Sequence, residues 1–345
     1  MTARMNPAAV TASPGLFRLS GWRRARITGQ PLDDCSLIVP TLRRHEDILA
    51  LLTHLTKEPE PPGELVIVDG AGDGQLGLVL DRWAMDVSLP FDLVYVEGPR
   101  GLTLQRNVGI DVSHGQFVFF LDDDALPLEG YFRAIRTAFL TSPSIGGVCG
   151  SLVLPPSARL PYRWRLRFAL RIVPRIRPFA YHPSGTSVPP ILAPQAGTRP
   201  VDIMPGCAFA LRREVFLQHR FSAFFTGYSY GEDVEMSLRV GKTWRLLCCG
   251  EALVIHRQAP TNRLHGFRKG RMEMLNRHFI WKRHVPHPGR INQFRFWADA
   301  ALVVALDLLS ARFAHSAGMI VAAGRCVFNE PTFEEGPAAL EYELV

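Results

Sequence analysis

Three consecutive aspartates end an apolar run in FVFFLDDDALP, Phe117 to Pro127. Like charges side by side repel, most of all at the mouth of a buried strand where water screens least. In an extended chain, residues i and i+2 point the same way. Asp122 and Asp124 therefore share a side at the end of the run, and Asp123 points elsewhere. Two carboxylates facing one cleft suit a divalent cation such as Mg²⁺ or Mn²⁺, held partly by substrate phosphates. A second acidic pair, Glu232 and Asp233, opens a helix-like stretch in GYSYGEDVEMSLRVGK. Its plain reading is a helix N-terminal acid favoured by the helix dipole. His256 closes the apolar run of WRLLCCGEALVIHR, which reads as two strands.

The elements that must position these groups follow a rhythm. CSLIVP, ELVIVD, DLVYVEG and QFVFFLD are short apolar runs. Between them lie the helix-like RRHEDILALLTHL, QLGLVLDRW and GLTLQRNVGIDVS. Such alternation builds βα units feeding a mostly parallel sheet, covered on both faces. Ligands of these sheets bind outside the carboxyl ends of the strands. Thr41, Asp69 and Asp122 stand at such ends and are expected to converge on one crevice. LEGYFRAIRTAF then reads as a helix, IGGVCGSLVL as a strand, and MPGCAFALRREVF as a strand entering a helix. From Arg263 onward helical periodicity dominates, and residues 1–31 read as a loosely ordered arm.

The 345 residues are 47% hydrophobic, enough for a sizeable core, and formally carry +7. The excess is local: Ser151 to Pro200 holds eight arginines and no acid. That argues against nucleic-acid coating, which spreads charge along a face. It favours a local anionic partner, with Arg159 to Arg177 expected at an anionic membrane surface or at a phosphorylated substrate. The plain alternative is a solvated basic loop. The six cysteines form no CxxC pair and read as reduced core residues of a cytosolic protein. ADAALVVALDLL is too short to span a bilayer, and extending it meets Asp307, Arg312 and His315. The expectation is a cytoplasmic protein, at most peripheral on the inner face of the membrane.

Several stretches in order, from Cys35 to His256, resemble family 2 glycosyltransferases of the GT-A fold. FLDDDALP is similar to the DXD region, SLIVPTLRR to the first strand and ELVIVDGAGD to the second. GLTLQRNVGI resembles the segment with an Arg-Asn pair, MPGCAFALRREVF the acceptor-side strand, GYSYGEDVEMSLRV the ED motif and VIHR the closing histidine. The resemblance implies a Rossmann-like, mostly parallel α/β sheet flanked by helices. It divides the chain into an arm (1–31), a catalytic domain (32–260) and a C-terminal helical region (261–345). Within the domain, 32–125 would bind nucleotide and 126–260 acceptor, with an Arg/Pro-rich insertion at 155–200.

It implies an inverting enzyme of the hexosyl- or rhamnosyltransferase kind, moving sugar from a UDP-, dTDP- or GDP-sugar onto a glycan or lipid-linked acceptor in cell-surface polysaccharide or glycolipid synthesis. Asp124 would be the main metal ligand, Asp122 its partner or a ribose contact, Asp123 a supporting acid and His256 a metal or diphosphate contact. Asp233 would be the base, with Glu232 as the alternative. Pro40, Thr41 and Asp69 would hold the nucleotide, Arg106 the diphosphate or the aspartates, and Gly206 and Cys207 the acceptor floor. Gly70 departs from the family, which often has a second acid there, and leaves base recognition open. A sugar nucleotidyltransferase would want a Gly-rich phosphate loop after the first strand, which PTLRR lacks. A non-catalytic binding relative would be expected to have lost Asp124 or Asp233, and both are present.

Overall fold

The computed structural model describes residues 3–4, 17–154, 159–174, 177–188, 197–257, 264–328 and 342–344. Parts of the expected arm and of the insertion, Arg175 included, lie outside them. Three short strands come first: β1 (Ala3–Arg4), β2 (Phe17–Leu19) and β3 (Gly21–Arg24). The βα rhythm follows as β4 (Leu32–Thr41), α1 (His45–Leu55), β5 (Pro62–Asp69), α2 (Gln75–Trp83), β6 (Asp92–Glu97), α3 (Leu102–Val112) and β7 (Phe117–Leu121). Then come β8 (Ala125–Pro127), α4 (Tyr131–Leu140), β9 (Ile145–Leu152), the Arg-rich helix α5 (Tyr162–Ala169), β10 (Tyr181–His182) and β11 (Thr186–Ser187). After β12 (Thr198–Pro200), strand β13 (Ala208–Arg212) enters a 3-10 turn, Arg213–Leu217. Helix α6 (Glu232–Val240) and β14 (Arg245–His256) complete the large sheet. Three helices, α7 (Gly266–His284), α8 (Gly289–Leu309) and α9 (Phe313–Phe328), precede β15 (Tyr342–Leu344), which pairs with β2.

Alternation along the strands sorts the core onto two faces. Leu37, Val39, Leu65, Ile67, Phe117 and Phe119 pack with α1, α2 and α4. Their neighbours Ile38, Val66, Val68, Val118 and Phe120 pack with α3 and α6. Both faces are covered, as the continuous apolar strands require. The spatial order is β1-β3-β6-β5-β4-β7-β13-β9-β14-β12, with β8 on β14. Strands β6, β5, β4 and β7 are parallel, and β13 runs antiparallel between β7 and β9. The chain moves outward from β4 through β5 to β6, then returns to place β7 on the other side of β4. This reversal opens a crevice at the carboxyl ends of β4 and β7, and Thr41 and Asp122 flank it.

Three sequence expectations change. Gly21–Arg24, inside the expected arm, is a strand of the main sheet, antiparallel to β6. WRLLCCGEALVIHR forms one strand, because a register shift between Cys248 and Leu253 lets it pass from β12 and β9 to β8 without a turn. The Arg-rich stretch is a helix docked on the C-terminal helices, with Arg163 ion-paired to Asp307 at 2.5 Å and Arg167 to Asp299 at 2.5 Å. Arg167 is buried, so this part of the segment is not a solvated loop. All six cysteines are buried and unbridged. Among the described residues no helix is long and apolar enough to cross a membrane.

Candidate active site

Beyond Leu121 the backbone turns, and Ala125 N–H donates to the carbonyl of Asp122. The three carboxylates part there. Asp123 turns inward, where Thr41 Oγ1 donates to its Oδ2 at 2.8 Å and Arg44 Nη1 to its Oδ1 at 2.7 Å. Burial pushes the Asp123 carboxyl up to about 6, against the pull of Arg44 and Thr41. Asp122 and Asp124 face the cleft with His256, which the end of β14 delivers beside β8. One donor atom from each lies within 4.8 Å of the others. His256 Nε2 is 3.1 Å from Asp124 and 3.9 Å from Asp122.

This donor set fits a divalent cation. Two carboxylate oxygens converge although burial already pushes the Asp122 carboxyl up and the Asp124 charge adds to the rise. A cation would relieve that repulsion, and one imidazole among oxygens suits Mn²⁺ as well as Mg²⁺.

Arg106, on α3, is 1% exposed, so the plain surface arginine is excluded. Its Nη1 donates to Glu232 Oε1 at 2.9 Å, and its Nη2 donates to the Gly206 carbonyl at 2.7 Å and lies 3.4 Å from Asp122 Oδ1. Phe209 and Phe221 pack on its guanidinium at 5.6 and 5.3 Å. One cation thus ties the strand-end acids to the acids of α6. The next residue, Asn107, clamps the Phe221 backbone through both its amide atoms.

Gly231 takes φ +89° immediately before α6, a conformation that favours glycine, and starts the helix with Glu232 and Asp233 in its first turn. The Gly206 N–H donates to Asp233 Oδ2 and the Val234 N–H to Oδ1, each at 2.8 Å. Burial raises the Asp233 carboxyl, and these two donors pull it back. Glu232 is pushed up to about 8, by burial first and the Asp233 charge second, with Arg106 opposing. The two acids are therefore held apart: Glu232 carries a proton near pH 7, and Asp233 has backbone donors that favour its anion.

A cavity of about 1170 Å³ brings these groups together. Pro40, Thr41, Arg106, Asp122, Asp123, Asp124, Gly206, Cys207, Glu232, Asp233 and His256 all line it. Asp69 does not. Its buried carboxylate accepts from Tyr95 Oη at 3.2 Å and from the Ala71 N–H at 2.9 Å. Gly70 also finds a physical reason. A Cβ there would meet the Gln105 amide at 3.1 Å, and that amide is held by the carbonyls of Thr41 and Val68. Reading the sequence missed Arg44, although it stands in the quoted PTLRR, and it missed the outer wall. Met272, Glu273, Arg277 and Ile280 of α7 and Asp299 and Val303 of α8 close the cavity on that side.

The sequence profile of glycosyl transferase family 2 matches residues 36–220, more than half of the chain. The chain belongs to this family. An uncharacterized glycosyltransferase of Haemophilus influenzae is 34% identical to this family 2 chain over 89 residues, 26% of this chain and 29% of that relative. The match thus spans under a third of the relative's length.

The mannosyltransferase PcManGT from Pyrobaculum calidifontis, solved with GDP-Man and Mn²⁺, is similar in structure at TM-score 0.50 and 17% identity. That likeness covers 86% of this chain and 81% of that one, and it gives the fold as GT-A with C-terminal helices added. GalNAc-T7, solved with UDP, GalNAc and Mn²⁺, has TM-score 0.48 and 15% identity over 80% of this chain and 58% of that chain. The profile match gives the chain its family, and the structural likeness gives its fold.

Proposed function

We propose that the protein transfers a hexosyl or deoxyhexosyl group from a nucleoside-diphosphate sugar to an acceptor hydroxyl, with inversion at the anomeric carbon. One observation carries the reading: the cation-type cluster Asp122, Asp124, His256 and the acidic pair Glu232, Asp233 line a single cavity, bridged by Arg106. The acceptor oxygen forms a bond to the anomeric carbon as the bond to the diphosphate breaks. Asp233 receives the hydroxyl proton, its carboxylate aimed by the N–H groups of Gly206 and Val234. A cation bound by Asp122, Asp124 and His256 would neutralise charge on the departing diphosphate. Arg106 holds Glu232 and Asp122 in place, and Asp123 braces Arg44 and Thr41 beside them.

Residues 32–125 form the nucleotide half in this reading, with Pro40 and Thr41 in the donor pocket and Asp69 bracing the second strand end behind it. Residues 126–260 form the acceptor half, with Gly206 and Cys207 on its floor. The acceptor is a glycan or lipid-linked chain of cell-surface polysaccharide or glycolipid, met on the cytoplasmic side.

A thermal-shift panel of UDP, dTDP, GDP and CMP, each with and without Mn²⁺, tests the reading. GDP comes first, because PcManGT holds GDP-Man and Mn²⁺. A ligand at a hundredfold excess over its Kd stabilises by ~2.7 kcal/mol. A Mn²⁺-dependent shift with one nucleoside diphosphate supports the donor class. No shift with any of them removes the metal–diphosphate site and favours a non-catalytic relative.

A further inference from the structure

The Arg-rich segment was the expected membrane contact, but Arg163 and Arg167 are spent on Asp307 and Asp299 inside the protein. A different surface has the needed chemistry. Ile291, Phe294, Ala301, Ala305 and Leu308 lie at helical spacing along α8, and all are exposed. On α9, Phe313, Ala317, Ile320 and Val327 repeat the pattern, exposed as well. The inner faces of both helices are already used, since Phe296, Ala300 and Val303 pack with Met319 and Ala322 in one core. The outer stripes meet at the α8–α9 connection, where Leu309 is 85% and Phe313 63% exposed. Stripes of this length exceed the scattered apolar residues of an ordinary surface.

Charge identifies the occupant. Residues 264–328 hold ten arginines and lysines against three acids. The three acids are sequestered: Asp299 by Arg167 and Arg277, Asp307 by Arg163 and Arg312, and Glu273 beside His315. Arg290, Arg312 and Arg325 flank the stripes and are exposed. Two copies joined through this face would bring basic rims together with no exposed acid of 264–328 to pair across, which opposes self-association. An apolar face with a basic rim suits the headgroup region of an anionic bilayer.

We propose that the outer face of α8 and α9 seats the protein on an anionic lipid surface, with Leu309 and Phe313 entering the acyl boundary and Arg290 and Arg325 meeting headgroups. This seat does not depend on the catalytic reading, and its test uses no donor or acceptor. The measurement is flotation of the full chain with vesicles of phosphatidylcholine alone and of phosphatidylcholine with 30 mol% phosphatidylglycerol. The parent is expected to float with the anionic vesicles.

Leu309→Ser with Phe313→Ser is expected to lower partitioning about a hundredfold, about tenfold for each side chain withdrawn. The thermal midpoint and circular dichroism should be unchanged, because both side chains face outward. Phe294→Ser, higher on α8, gives an independent loss. Arg290→Gln with Arg325→Gln is expected to cost about fivefold per charge on anionic vesicles only. A parent that does not float overturns the proposal, as does a folded L309S/F313S variant that floats like the parent. A lipid-free dimer that the same pair of substitutions splits also overturns it and assigns the face to a second copy.

Discussion

Replacing Glu232 by glutamine is expected to make the protein more stable than its parent in alkaline solution. Burial, and then the Asp233 charge, push the Glu232 carboxyl from its ordinary 4.5 to about 8, against Arg106. A group raised on folding contributes its stability in full below the unfolded value. That contribution is lost as pH rises through the folded value. For Glu232 the window runs from about pH 4.5 to about pH 8. At ~1.4 kcal/mol per pH unit, the whole window amounts to ~4–5 kcal/mol. Coupling to Asp233 shares part of this, so ~2–4 kcal/mol is a fair expectation for the single group.

Glutamine keeps the shape, can accept from Arg106 and never ionises. The difference in unfolding free energy between E232Q and parent should therefore grow by ~2–4 kcal/mol in favour of E232Q from pH 5 to pH 9. Urea unfolding at pH 5, 7 and 9, with chelator present, measures it. Parallel pH profiles for the two proteins would show that Glu232 ionises normally and that burial does not hold its proton. The same variant bears on catalysis. If E232Q transfers sugar and D233N does not, Asp233 is the base; the reverse result exchanges the roles.

Three further perturbations follow from the geometry. Asp233→Asn is expected to lower turnover by ~10²–10⁴-fold. It should leave Mn²⁺-dependent binding of the nucleoside diphosphate intact, as titration calorimetry will show. Asp124→Asn should abolish the Mn²⁺ dependence of that binding, and an unchanged affinity would remove Asp124 from the cation site. Arg106→Met removes the cation between Glu232 and Asp122 and is expected to destabilise by ~3–5 kcal/mol above about pH 8, where Glu232 ionises, and by less at pH 7 and below, where it carries its proton. Denaturant unfolding measures the loss, and one below ~1 kcal/mol would mean that the buried arginine is dispensable.

Local pattern carried most of residues 32–125. Helix α2 occupies Gln75–Trp83, the stretch that reads as helical in sequence. Extended-chain alternation placed Asp122 and Asp124 on one side and Asp123 on the other, and the structure reaches the same separation through a turn, in which Ala125 N–H donates to the Asp122 carbonyl. What escaped depends on partners far along the chain. Gly21–Arg24 is a strand only because β6 offers it an edge. Arg44 reaches Asp123 after Arg43 takes φ +54°, which the sequence does not announce. Arg167 reads as a surface charge until Asp299, 132 residues later, folds against it. The cavity wall contributed by α7 and α8 has no motif, because its helices are chosen for packing and reach the site only through tertiary docking.

The ladder between β7 and β13 works as a ruler. Five pairs, Phe117 with Arg212 through Leu121 with Ala208, lock the two strands in register. The Asp122 N–H then extends the ladder by donating to the Cys207 carbonyl. Asp122 therefore sits one step past one strand, and Gly206, which aims Asp233, lies just before the other. A slip of one residue would turn every side chain over, so the register is strongly specified. The gap between the strand-end acids and the acids of α6 is set by the sheet and not by the loops. The stretch between Leu152 and Thr198 stands outside this ladder, so it can be lengthened or exchanged without altering that gap. Descendants of this chain can change the molecules they accept while inheriting the same working distance.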